Sequence, residues 1–127
     1  MATKLFVNLP VRDLARSQTF FAALGFDFFG AAEDMASVII SEHTQVMLLA
    51  EPTFAEYAHR PPAQATEAIL VLGLEDRAAV DALVEKAVAE GATPVGSTRD
   101  EGGMYQRGFA DLDGHQWAAL TLAGPTA

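Results

Sequence analysis

With 127 residues, half of them apolar and 20% charged, the chain can fill one ordinary hydrophobic core and does not have the composition of a disordered segment. Seventeen acids against eight Lys and Arg give a net charge of −9, which repels phosphate backbones and anionic lipid, so neither nucleic acid nor membrane is an expected partner. The absence of cysteine excludes disulfides, thiolate nucleophiles and Cys-based zinc sites.

Residues 4–11 are rich in β-formers and run into Asp13, a good helix N-cap. Leu14, Ser17, Phe20, Phe21 and Leu24 then recur at helical spacing, and Gly25 is placed to end the helix. Three strands are predicted over 26–30, 37–41 and 45–50, the last two joined by a tight turn at Glu42, His43 and Thr44. Residues 52–62 read as a loop with room for one helical turn carrying Phe54, Tyr57 and His59. The order then begins again with a strand at 67–74 and a cap at Asp76. An amphipathic helix follows through Ala79, Val80, Leu83, Val84, Ala87 and Val88, stopped by Gly91. Strands over 93–98, 104–110 and 116–122 complete it. Asp113-Gly114 in the last connection is a strong hairpin signal. Gly102-Gly103 marks a flexible turn, not a phosphate loop, because no Lys and helix start follow it.

Leu9-Pro10-Val11-Arg12-Asp13 and Leu72-Gly73-Leu74-Glu75-Asp76 share an apolar-x-apolar-x-Asp pattern at the two strand-to-helix junctions. One domain, 1–127, of two duplicated βαβββ modules is expected, about 4–51 and about 67–122. Alternation along the strands places Leu5, Val7, Leu9 and Val11 on one face and Phe6, Asn8 and Pro10 on the other. In the second module Leu70, Leu72 and Leu74 oppose Ile69, Val71 and Gly73. The all-aliphatic sets suit a helix; the faces with Asn8 and Gly73 are free to line a concavity.

The segment from Phe6 to Leu14 with Ser17, Phe20-Phe21 and Leu24-Gly25-Phe26 carries a family resemblance, as does Phe109-Ala110-Asp111-Leu112-Asp113-Gly114-His115-Gln116-Trp117. Together they resemble the vicinal oxygen chelate superfamily of glyoxalase I, extradiol dioxygenases, and fosfomycin- and bleomycin-resistance proteins, with Leu112 where the family usually has Pro. The resemblance covers nearly the whole chain. It implies an α+β fold in which two βαβββ modules form a curved, eight-stranded mixed sheet around a cup, within a homodimer whose modules are swapped in some members. It also implies a divalent ion held in that cup by His, Gln or Glu. The corresponding positions here are Phe6, Ile69, Ala118 and one within 46–49, and none is a residue of those types. The expected cup is therefore metal-free, with no cofactor.

The candidate ligand-binding residues are Phe6, Asn8, Leu48, Ile69, Val71, Gln116 and Ala118, which line an open cup or else fill the core of the sheet, with Phe54 and Tyr57 as a cover for a ligand or as residues of the core or a dimer interface. Residues 104–109 contribute either Tyr105, Arg107 and Phe109 or the alternate set Met104, Gln106 and Gly108; Tyr105 and Arg107 are the chosen pair. His43, His59 and His115 read as two surface residues and a turn residue, and Trp117 as buried against a helix. The leading function is binding of a small organic ligand without metal, in the manner of the drug-sequestering bleomycin-resistance branch. The acidity serves solubility first and, functionally, would attract a cationic ligand. An alternative is a glyoxalase-type lyase or dioxygenase with unconventional ligands drawn from Glu51, Glu67, His115 and Gln116. The last is metal-free acid/base catalysis, with Arg107 polarising a carbonyl and Glu51 or Glu67 taking a proton. With residues 1–4 leading straight into a strand and no apolar run of about 20 residues, a cytoplasmic location is the default expectation.

Overall fold

The computed structural model describes residues 3–59 and 65–122. It divides into two units, Met1–Gln64 and Ala65–Ala127, built on the same order of elements.

In the first unit, β1 (Leu5–Val11), α1 (Leu14–Ala23), β2 (Asp27–Ala31), β3 (Met35–Ser41) and β4 (Thr44–Ala50) precede α2 (Glu51–Ala58). The Asp13 carboxylate accepts the Arg16 backbone N–H at 3.1 Å, satisfying one of the open donors of the first turn of α1. Strand order is β1-β4-β3-β2, with β1 parallel to β4 and the other neighbours antiparallel. α1 packs on β3 and β4 and buries Ser17, Phe20 and Phe21. The two phenyl rings meet edge to face at 4.9 Å. Ladder register aligns Val46 with Val7 and Val38, and Leu48 with Leu9 and Ala36. These aliphatic residues form the sealed side, with Ala36, Val38, Val46 and Leu48 buried.

The 52–62 stretch differs from expectation: α2 has eight residues, more than one turn. Pro52 sits in its first turn, where the missing N–H has no intrahelical partner to lose, so the residue that reads as a breaker is instead compatible with a helix start. The helix stops at His59, which takes a left-handed φ of 60°. The Thr53 hydroxyl donates to Asp34 Oδ2 at 3.0 Å and ties α2 to the loop before β3. Pro61 and Pro62 lie outside the described residues.

The second unit contains β5 (Ile69–Gly73), α3 (Arg77–Ala89), β6 (Thr93–Glu101), β7 (Met104–Ala110) and β8 (Gln116–Thr121). Its order, β5-β8-β7-β6 with β5 parallel to β8, repeats the first sheet strand for strand. The eight strands are thus divided four and four between two mixed sheets. Asp76 caps α3 by accepting the Ala79 N–H at 2.8 Å. Val80, Val84 and Ala87 are buried on the face that packs on β6, β7 and β8. Gly91 ends the helix region with φ 114°, and a Cβ there would stand 3.0 Å from Leu112 Cδ2, so backbone and packing both favour glycine.

β6 outruns its expected end at 98. Gly102 and Gly103 both have positive φ, 62° and 81°, as a tight two-residue hairpin turn requires. That turn brings Arg99, Asp100 and Glu101 opposite Gln106, Tyr105 and Met104. The charged run has low strand propensity by itself, and pairing with β7 overrides it. No helix among the described residues is long and apolar enough to cross a membrane.

The connection between β7 and β8 is organised by Asp111. Its Oδ1 accepts the backbone N–H groups of Asp113 and His115 at 2.9 and 3.0 Å, and its Oδ2 accepts the Trp117 indole N–H at 2.9 Å. Burial pushes the Asp111 carboxyl above the ordinary range, while His115 and these three donors oppose the shift. Trp117 is completely buried, its ring parallel to that of Phe109. Removing the acceptor strands the indole N–H in the core. Asp111→Ala is therefore expected to cost about 1–3 kcal/mol in denaturant unfolding, whereas Asp113→Ala, which keeps all three acceptor contacts, stays near wild type.

Candidate functional site

Strand alternation leaves the first sheet with a face opposite α1. The β1–β4 ladder sets Phe6 beside Gln45 and Asn8 beside Met47, and the β3–β4 ladder sets Ser37 beside Met47. This face carries a cavity of about 480 Å³, within the range of small-molecule sites. Phe6, Phe29, Met35 and Met47 give it apolar and polarisable walls; Lys4, Ser37 and Gln45 are its polar groups, and Gly30 and Ala32 complete the lining. Phe29 projects from β2 and is 69% exposed, and Phe6 is 54% exposed, so both rings stand at the opening with much of their surface in water. The Ser37 hydroxyl donates to Gln45 Oε1.

Among the residues expected to bind ligand, Phe6 lines this cavity and Asn8 is exposed on the same face. Leu48 does not belong there. It stands on the opposite side of β4, aligned with Leu9 and Ala36, and is 0% exposed. The residue of that strand facing the cavity is Met47, one position away, because a strand sends successive side chains to opposite faces. Phe54 is half-buried and Tyr57 exposed on α2, and neither lines the cavity.

In the second unit the β5–β8 register brings Ile69 beside Gln116 and Val71 beside Ala118, so these four share one face. Ile69 and Val71 are half exposed, and Ala118 is buried. Tyr105 and Arg107 lie on the other face, aligned with Thr121 and Ala119, under α3. The Tyr105 hydroxyl donates to Asp81 Oδ1 at 2.7 Å, and Arg107 donates to the same oxygen at 3.0 Å and reaches Glu85 at 3.5 Å. Arg77 lies 4.8 Å from the centre of the Tyr105 ring while pairing with both Asp100 oxygens at 2.6 and 2.8 Å. The two residues chosen as ligand contacts are thus fasteners of α3 to its sheet. The alternate set Met104, Gln106 and Gly108 occupies the face of Ile69, Gln116 and Ala118. Arg107 pairs with two carboxylates on the helix side of the sheet.

The positions at which the family resemblance implies a metal ion hold Phe6, Ile69 and Ala118, together with Met47 as the cavity-facing residue of the fourth strand. A thioether is a soft donor and the other three have no lone pair, so none of these side chains suits a hard or borderline divalent ion. Among the described residues no group of three or more His, Asp or Glu is placed to hold a metal.

Lys4, Phe29, Met35, Ser37, Gln45 and Met47 were not among the sequence candidates. The signal for two of them is present in the alternation of Gln45-Val46-Met47-Leu48, where Val46 and Leu48 form the aliphatic, helix-facing set. Phe29 carries no such signal, since its place depends on how β2 pairs with β3.

Residues 3–41 match the family described as bleomycin resistance protein-like N-terminal. A solved hypothetical protein from S. aureus is 30% identical, with a TM-score of 0.83 over 95% of this chain and 94% of that one. A glyoxalase/bleomycin resistance protein/dioxygenase family enzyme from Burkholderia phytofirmans PsJN superposes at 0.82 with 19% identity, covering 95% and 99% of the two chains. A lactoylglutathione lyase from Agrobacterium tumefaciens superposes at 0.70 with 13% identity, covering 95% and 94%. No curated protein sequence gives a significant match.

Two outcomes follow from the placement of Tyr105 and Arg107. Tyr105→Phe and Arg107→Met should lower the denaturation midpoint yet leave small-molecule affinity within about twofold of wild type, as calorimetry would measure. The hydrogen bond from Tyr105, then that from Arg107, holds the Asp81 carboxyl below its ordinary value of 3.8. A carboxyl depressed by folding stabilises above its unfolded pKa, and that stabilisation fades as pH falls through the folded value. The stability advantage of wild type over Asp81→Asn should therefore be full at neutral pH and shrink below pH 3.8.

Proposed function

Because this chain belongs to the vicinal oxygen chelate superfamily, the group of glyoxalases, bleomycin-resistance proteins and dioxygenases, we propose that it is a binding member which holds a small organic molecule in an apolar cavity without the family's metal ion. The supporting observation is the chemistry at the metal positions. Phe6, Ile69, Ala118 and every residue of 46–49 lack the oxygen and nitrogen donors that the family resemblance implies at these positions. Metal-assisted activation of a substrate has no support from such a set, whereas a cavity of about 480 Å³ walled by Phe and Met retains what binding alone requires. Sequestration of a drug-like molecule is the corresponding biological role, and the likeness of residues 3–41 to bleomycin-resistance proteins favours it over turnover. The two units act as halves of one binding domain in this reading, and its working form is a homodimer.

Two measurements test it. Protein purified without chelator should contain well under one equivalent of any transition metal by elemental analysis, and titration with an aromatic ligand panel should saturate. A stoichiometric, tightly held transition ion would overturn the metal-free reading in favour of a glyoxalase-type lyase or dioxygenase. Met47→Ala, which removes a cavity wall but no buried core residue, should weaken the best ligand about tenfold while changing the melting temperature little.

A further inference from the structure

The geometry points to a flat aromatic ligand that carries hydrogen-bond acceptors and, by preference, a negative charge. This assignment rests on the binding reading above and specifies the chemistry of the same cavity. Among the nine described residues that line it, only Lys4 is ionised, and none is acidic. The ammonium group offers donors and no acceptor. Gln45 uses its carbonyl oxygen to accept from Ser37, which leaves its amide N–H groups as the part free to donate. Two of the three polar groups in the wall thus present donors, and the third has its proton committed. A bound molecule satisfies them by bringing acceptors, such as a carboxylate, phenolate or conjugated carbonyl.

The apolar part of the wall defines the rest of the ligand. Phe6 and Phe29 supply two aromatic surfaces, and Met35 and Met47 supply thioethers that pack well against aromatic rings. Phe29, 69% exposed, has the largest apolar surface to remove from water when a ring settles against it.

The local charge opposes the whole-chain charge of −9, which by itself favours a cation. Exposed charges farther away than about 8 Å are largely screened at physiological ionic strength, so the ammonium in the wall counts for more than distant carboxylates; Glu33, next to the lining residue Ala32 in the chain, is an acid that works against it. The opposing local effect is attraction of a cation to the faces of Phe6 and Phe29, which is weak where the rings remain wet.

Three probes sharing one ring system separate these effects: 2-naphthoate, 2-naphthalenemethanol and 2-naphthylmethylammonium, titrated calorimetrically into the full chain. Naphthoate should bind about tenfold more tightly than the ammonium at low salt, and the margin should narrow as salt is raised. Lys4→Gln, an exposed change outside the core, should remove most of that margin and leave the alcohol within about twofold. An ammonium that binds as tightly as the carboxylate, or a margin that survives Lys4→Gln, would overturn the assignment while leaving small-molecule binding intact. Failure of all three probes to saturate would overturn both.

Discussion

Each sheet has one face that a helix must seal, and the consequences of that demand run through both units. An α-helix with a buried apolar stripe needs an aliphatic surface beneath it, and a strand can supply that surface only from every second residue. Val38, Val46 and Leu48 under α1, and Phe109, Trp117 and Ala119 under α3, are the residues so committed. Their neighbours are thereby turned to the other side. Phe6, Ser37, Gln45 and Met47 come together because the residues between them are needed for the core.

Polar groups follow the same division, with different results in the two units. In the first, Ser37 and Gln45 satisfy each other on the cavity face and leave donors over. In the second, Tyr105 and Arg107 fall on the helix side, where each would be costly without a partner. Asp81 supplies that partner from α3, and Arg77 and Asp100 extend the network to β6. Asp111 plays a comparable part within the β7–β8 connection by engaging the indole N–H of Trp117, the largest fully buried side chain among the described residues. These networks fix how the helix and the connection sit on the sheet.

The family resemblance implies a metal ion, and Phe6, Ile69 and Ala118, at three of the implied positions, carry no donor atom for one. The strand order of each unit depends on junction caps, glycine turns and the helix-facing residues, none of which is a metal position. Replacing a ligand by Phe, Ile or Ala on the open face leaves those determinants untouched.

Much of this was legible before any coordinates. The Asp13 and Asp76 caps, the Gly91 stop, the repeated order of elements and the opposition of Phe6 to Val7 follow from side-chain chemistry acting over a few residues. Three things did not. α2 runs past a single turn with Pro52 in its first turn; β6 continues to Glu101 because the Gly102-Gly103 turn pairs it with β7; and Leu48, Tyr105 and Arg107 take their faces only from register. Local sequence determined which residues alternate and where elements start, because those depend on near neighbours. Tertiary structure decided which parity faced the helix and which residues from separate strands met around the cavity, because that choice depends on pairing between segments tens of residues apart.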